Sequence, residues 1–284
     1  MGKFDSVLLA SDFDNTLVYT AEAIVTGAPL PPVSEGNRQA LAYFMDQGGT
    51  FAMATGRALP AFAPLVPSIP MNAPTILFNG AAIYDFPRKE YVHTAFLPDT
   101  VRGTIHQLLR DFPGLTFEIY HDDNSIHAIN PSELTRNHLH LTHLPTVTLE
   151  SIDEAPSPIS KILFEEPHPY LEKLMRYLDA QPWRSEYELV TSSDYLLEMT
   201  AKGANKGDMV RQLAHILGKN PRHVYCVGDH ANDMSMLRFS HIPFAPANAL
   251  DCVKAIPGTH VLPDSRQDTI AALIGVLDKL YEGV

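Results

Sequence analysis

The chain has 284 residues, 45% of them apolar and 19% charged, enough for one large core or two modest ones and with no bias toward disorder. Its formal net charge of −12 and the absence of a concentrated basic footprint argue against a nucleic-acid partner and favour a small diffusible one. Two cysteines, Cys226 and Cys252, are too few for a disulfide framework or a thiolate metal site, and no apolar run reaches membrane-spanning length, so a cytoplasmic protein with no membrane partner is expected.

In chain order, Val7 to Ser11 reads as a short buried strand that runs straight into Asp12 and Asp14. A Pro-rich loop follows (Pro29, Pro31, Pro32), and Ser34 is placed to cap a helix ending near Gln47, with Ala40, Leu41, Phe44 and Met45 on one face and Gly48-Gly49 as its stop. "TFAMATGR" predicts a second strand ending at Thr55-Gly56, and "TILFNGAAIYD" a third. Strand and helix alternation of this kind predicts a parallel α/β sheet.

Residues from about 85 to 195 change character. Strand-like pieces ("EYVHTAF", "LTFEIYH", "SIHAIN", "ISKILFEE", "YELVTSS") alternate with helical ones, predicting an α+β insert. Asp122-Asp123-Asn124 carries a hairpin signal between two alternating runs. In "NHLHLTH", His138 and His140 share a face if the segment is extended; no third metal ligand stands at a recognisable spacing, so surface or substrate-facing histidines are expected there. His121, His127, Arg136 and Arg184 are other insert residues that could reach a substrate.

From residue 196 the first pattern returns. "NKGDMVRQLAHILGK" spaces Val210, Leu213, Ala214 and Leu217 as a helical face, and "HVYCVGD" is a buried strand ending in an acid. "IPFAPA" and "HVLP" read as short strands, and Ile270, Leu273, Ile274 and Leu277 mark a last amphipathic helix. The expected layout is therefore a Rossmann-like doubly wound parallel core over 1–84 and 196–284, with the α+β insert over 85–195.

Three strand ends share polar residues: Asp12 with Asp14, Thr55-Gly56, and Gly228-Asp229 with Asp233. All strand C-termini of a parallel sheet lie on one edge, where ligands bind, so these groups should converge, joined by Lys206 at the start of its helix. Converging carboxylates repel unless a cation sits among them, and hard oxygen donors point to Mg²⁺, which in turn suggests phosphate. Asp12 could then attack a phosphoryl group, Lys206, Thr55 and turn N–H groups could hold the equatorial oxygens, and Asp14 could move protons. The bland alternatives are a turn capped by Asp12 and Asp14, a solvated Lys206, and a Thr55 that merely closes its strand.

"DFDNTL", "ATGR", "KGANKGDMV" and "GDHANDMSML", in that order, resemble the four motifs of the haloacid dehalogenase-like phosphatase superfamily, and the insert, with "FNGAAIYD" before it and "PISKILF" inside it, is similar to the α/β cap of the Cof-type, class IIB branch. The resemblance implies an Mg²⁺-dependent phosphatase of small phosphomonoesters, with sugar phosphates, nucleotides or pyridoxal phosphate as the implied substrates. It makes Asp12 the nucleophile, Asp14 the general acid/base, Thr55 a phosphoryl contact and Lys206 the motif lysine. It implies a metal held by Asp12, Asp14 and Asp229, with Asn232 and Asp233 supporting the metal or the lysine. Asn15, Gly56, Arg57, Asn79, Gly80 and Asn232 become phosphate or substrate contacts. Departures from the pattern are Asn15 where Gly is commonest, His230 in the fourth motif, and the weak "FAPANAL" and "PDSRQDTI" segments. Phosphomutase or phosphotransferase chemistry, and a phosphometabolite-binding regulator with little turnover, are the alternatives.

Overall fold

The computed structural model describes residues 2–121, 125–142 and 144–283. The Asp122-Asp123-Asn124 turn lies outside them, as does the side chain of His140. The strands, in chain order, are β1 (Leu8–Ser11), β2 (Thr50–Met53), β3 (Thr75–Leu77), β4 (Ala82–Asp85) and β5 (Glu90–Thr94). Then come β6 (Phe117–His121), β7 (Ile126–Ile129), β8 (Thr146–Thr148), β9 (Ile159–Glu165), β10 (Tyr187–Ser193) and β11 (Leu196–Ala201). The last are β12 (Val224–Val227), β13 (Pro243–Pro246) and β14 (His260–Leu262).

The apolar runs β1 and β12 are fully buried, as strands covered by helices on both faces must be. They form the centre of a five-stranded parallel sheet of order β14-β13-β12-β1-β2, in which Leu8 pairs with Val224 and Thr50, and Ser11 with Val227 and Met53. The helix Glu35–Asp46 starts where Ser34 accepts a hydrogen bond from the Asn37 N–H and packs Leu41 and Phe44 inward, each such burial contributing about 1.5–3 kcal/mol. The expected α/β architecture is thus observed.

"TILFNGAAIYD" departs from the reading of one parallel strand. β3 touches β2 through a single parallel bridge, Ala54 to Ile76, and the chain then reverses, so that β4 pairs antiparallel with β3 and with β5 in a three-stranded sheet. The reversal is made by Phe78, Asn79 and Gly80, all with positive φ (52°, 55° and 110°); Asn-Gly is a strong signal for such a turn. A short helix, Ala21–Thr26, also stands in the stretch read as loop.

The third sheet has six strands in the order β10-β11-β9-β6-β7-β8, antiparallel except for the β7–β8 pair. β11, assigned by sequence to the second core segment, is hydrogen-bonded into this sheet between β10 and β9. Residues 137–142 of "NHLHLTH" are helical, within Glu133–Thr142, and Ser132 explains why: its hydroxyl accepts the Thr135 N–H at 3.3 Å and starts the helix; His143 lies outside the described residues. Among the described residues no helix is long and apolar enough to cross a membrane.

Candidate active site

Asp12 continues the β1 ladder, its N–H donating to the Val227 carbonyl at 3.0 Å, and Asp229 follows the end of the neighbouring parallel strand β12 two residues on. Adjacent strand ends bring the two carboxylates to the same sheet edge. Asp233 arrives on the 3₁₀ turn Ala231–Asp233, and Lys206 opens the helix Lys206–Ile216, whose first turn is capped by Asn205 accepting the Asp208 N–H at 2.9 Å. Gly80, where an added Cβ would stand 2.4 Å from the Asn205 backbone, lets the Asn79-Gly80 turn press against that helix start.

Lys206 is fully buried, with Nζ 2.6 Å from Asp12 Oδ1 and 2.6 Å from Asp233 Oδ1. The other Asp233 oxygen accepts the N–H groups of Asp229 and His230 at 2.9 and 3.0 Å, so both oxygens of Asp233 are engaged in holding the lysine and the turn. Thr16 donates its hydroxyl to Asp229 Oδ1 at 3.1 Å.

The charge balance is uneven. Asp12, Asp229 and Asp233 offer oxygens all within 4.8 Å of one another, against the one ammonium that bridges Asp12 and Asp233. Burial pushes the Asp12 carboxyl well above its usual range; Lys206 opposes the shift, and Asp233, Asp229 and Asp14 add to it. Burial, then the neighbouring Asp233, lifts Asp229 to about 7. Buried oxygen donors with excess negative charge suit a hard divalent cation, so the residues present fit Mg²⁺.

Asp14 faces a different partner. Arg57 grips it with two hydrogen bonds, Nε to Oδ2 at 2.9 Å and Nη2 to Oδ1 at 2.7 Å, and the Thr20 hydroxyl adds a third at 2.8 Å. Burial works to raise the Asp14 carboxyl, but Arg57 and Thr20 prevail and hold it below the usual carboxylate value. Arg57, expected among the phosphate contacts, is therefore first of all the counter-ion of Asp14. Asn15, with φ of 56°, makes the tight turn, and its side-chain oxygen accepts the Thr20 and Ala21 N–H groups at 3.1 and 2.9 Å.

Thr55 is buried at the end of the β2 segment, its Oγ1 accepting the Arg57 N–H at 3.1 Å. Asn232 Nδ2 donates to Asn79 Oδ1 at 2.9 Å, which ties the fourth-motif turn to the β3–β4 turn; the buried Asn232 Oδ1 has no hydrogen-bond partner. The Gly56 carbonyl accepts from Lys161 Nζ at 3.2 Å, and the same ammonium lies 2.9 Å from Glu198 Oε2 and 4.7 Å from the centre of the Tyr120 ring. This buried Lys161–Glu198 pair links the six-stranded sheet to the second motif and was not singled out from sequence, although a Lys and a Glu inside "ISKILFE" and "LLEMTA" stand out among apolar neighbours. Of the other insert residues, His121 and His127 pack edge to face with centroids 4.8 Å apart, and Arg184 is tied to Asp179 and to the Tyr187 carbonyl.

The Lys161–Glu198 pair carries a pH signature. Burial raises the Glu198 carboxyl, but Lys161 outweighs it and holds the group below 4.5, so its contribution is full above pH 4.5 and is lost as pH falls through the depressed folded value. Glu198→Gln strands the buried ammonium and should cost about 3–5 kcal/mol at neutral pH. In urea denaturation the gap between wild type and variant should narrow steadily below pH 4.5; a gap constant with pH would contradict the assignment.

Comparison with known proteins places this geometry. The haloacid dehalogenase-like hydrolase family matches the chain over residues 9–274. The chain belongs to that family. YxeH of Bacillus subtilis, a phosphatase by name, is 27% identical over 253 residues, covering 86% of this chain and 88% of its own. The pyridoxal phosphate phosphatase YbhA of Escherichia coli is 25% identical over 277 residues, covering 94% and 97%. Among solved structures, the subclass IIB sugar phosphatase BT4131 superposes with a TM-score of 0.76 at 22% identity, covering 95% of this chain and 98% of its own. The family, the α/β fold and the phosphatase class expected from the four motifs all hold for this haloacid dehalogenase-like hydrolase.

Proposed function

We propose that this hydrolase releases phosphate from a small phosphomonoester through a covalent aspartyl-phosphate on Asp12. The supporting observation is the Asp12 carboxylate clamped by a fully buried Lys206 that is itself held by Asp233, within a cluster whose negative charge exceeds its positive charge. In the first step an Asp12 oxygen bonds to phosphorus as the bond to the leaving oxygen breaks, and Asp14 gives that oxygen a proton. In the second, the Asp14 carboxylate takes a proton from the water that attacks the aspartyl-phosphate, and Asp12 is regenerated. Arg57 keeps Asp14 ionised, the form the second step needs; the first requires that pair to part as the leaving group arrives. Lys206, Thr55 and the N–H groups of the second-motif turn neutralise and orient the phosphoryl oxygens.

Mg²⁺ would be held by the carboxylates of Asp12 and Asp229 and the backbone carbonyl of Asp14, supplying charge neutralisation at the phosphoryl group when bound. Asp233 serves Lys206 in this scheme. Residues 1–84 and the segment after the cap form the catalytic core. The cap, read from sequence as 85–195, extends through β11 to Ala201, and Lys161 and Glu198 fasten it to Gly56. A phosphorylated sugar or pyridoxal phosphate is the substrate class favoured, by kinship with BT4131 and YbhA.

The test is release of free phosphate from p-nitrophenyl phosphate with Mg²⁺ and with EDTA. Metal-dependent release that stops in EDTA is expected. Release indifferent to EDTA would overturn the metal role, and transfer of phosphate to an added alcohol or sugar with no free phosphate would replace hydrolysis by phosphotransfer. A panel of phosphorylated metabolites then ranks substrates.

A further inference from the structure

The six-stranded sheet carries a second group of metal-ligating side chains that the phosphatase reading does not use. Strand alternation and register put Glu118, Tyr120, Lys161, Glu165 and Glu198 on one sheet face, and the helix Glu133–Thr142 lays His138 over its Glu118–Glu165 end. Both glutamates are fully buried; His138 is 19% exposed.

We propose that Glu118, His138 and Glu165 form a metal site for a divalent ion of the zinc class. His138 Nδ1 lies 3.1 Å from both oxygens of Glu118 and 3.1 Å from Glu165 Oε1. Ligands bonded at about 2.0–2.2 Å to one ion stand roughly 3.0–3.4 Å apart, so the nitrogen already has coordination spacing to both carboxylates, and the three groups offer atoms within 4.8 Å of one another. One imidazole nitrogen with two carboxylates favours zinc over magnesium, which prefers an all-oxygen shell.

Glu165 is the second and independent observation. Neither of its oxygens receives an aligned hydrogen bond, although the side chain is fully buried and its Oε1 stands 3.1 Å from His138 Nδ1. A lone imidazolium also leaves two buried carboxylates with net negative charge, a costly state that a divalent ion removes. Tyr120 donates its hydroxyl to Glu118 Oε2 at 2.7 Å, the outer-shell contact that typically orients a ligating carboxylate. The partly exposed edge of His138 is the route in.

Zn²⁺ titrated calorimetrically into the full chain in excess Mg²⁺, added to compete for the proposed Asp12–Asp229 site, should bind one equivalent tightly. Glu165→Gln and His138→Gln should each weaken it at least 100-fold, Tyr120→Phe about 10-fold, and Asp12→Asn should leave it unchanged. Anomalous scattering at the zinc edge from wild-type crystals should place the ion among Glu118, His138 and Glu165, which keeps the test decisive if a variant folds poorly. No zinc binding in excess Mg²⁺, binding that survives both ligand substitutions, or an anomalous peak only beside Asp12 would each overturn the site.

Discussion

Asp12→Asn should lower kcat by about 10⁴-fold or more while leaving the fold intact. An amide oxygen keeps the shape of the carboxylate and can still accept from Lys206 Nζ, but it does not form the acyl phosphate. The stability half of the expectation runs the opposite way to the activity half. Because burial and the neighbouring Asp233, Asp229 and Asp14 all push the Asp12 carboxyl up, the folded protein disfavours the charged form, and a neutral side chain there relieves repulsion. Tm should therefore hold or rise as turnover disappears. Thermal melts and phosphate release on one preparation check both halves, and rapid quench should find no acid-stable phosphate on the variant. Residual turnover within ten-fold of wild type would remove Asp12 from the role of nucleophile.

Lys206→Met should damage both properties. The ammonium is fully buried and bridges Asp12 and Asp233 at 2.6 Å each, so its loss leaves two buried carboxylates without their counter-ion, a penalty of about 3–5 kcal/mol. Loss of the charge proposed to face the phosphoryl oxygens should lower kcat by about 10²–10³-fold. Adding Asp12→Asn to Lys206→Met should recover part of the lost stability, since one of the stranded charges is then gone; a double-mutant cycle by urea denaturation measures that coupling. Near-normal turnover in Lys206→Met would reject the assignment.

The site was legible in the sequence where topology alone determines placement. A residue just past a parallel strand must reach the ligand edge, so Asp12 and Asp229 meet there with Thr55 at the end of the neighbouring strand, and Lys206 joins the two acids because its helix begins beside that edge. Pairs made by side chains alone were not legible. Arg57 and Asp14 are 43 residues apart, and Lys161 and Glu198 are 37 apart; no periodicity links either pair. The strand "TILFNGAAIYD" was misjudged because its apolar content masked the Asn79-Gly80 turn at its centre. His138 and His140 share a face only in an extended segment and are expected at the surface or facing substrate, whereas the Ser132 cap makes the segment a helix and turns His138 onto Glu118 and Glu165. Those two acids sat inside apolar strands, which was the available signal.

The strand that leads into Asp12 is completed from far downstream in the chain. β1 occupies the middle of its sheet, with β2 on one side and β12, some two hundred residues downstream, on the other. While the chain emerges from the ribosome, one edge of "VLLA" stays unpaired and apolar until Val224–Val227 arrives, so a truncated product ending before that point presents a ready template for aggregation. Lys206, Asp229 and Asp233 arrive in the same late stretch, so under the proposed mechanism a nascent chain carries Asp12 without the lysine and carboxylates that are to serve it until β12 and the turn after it are made.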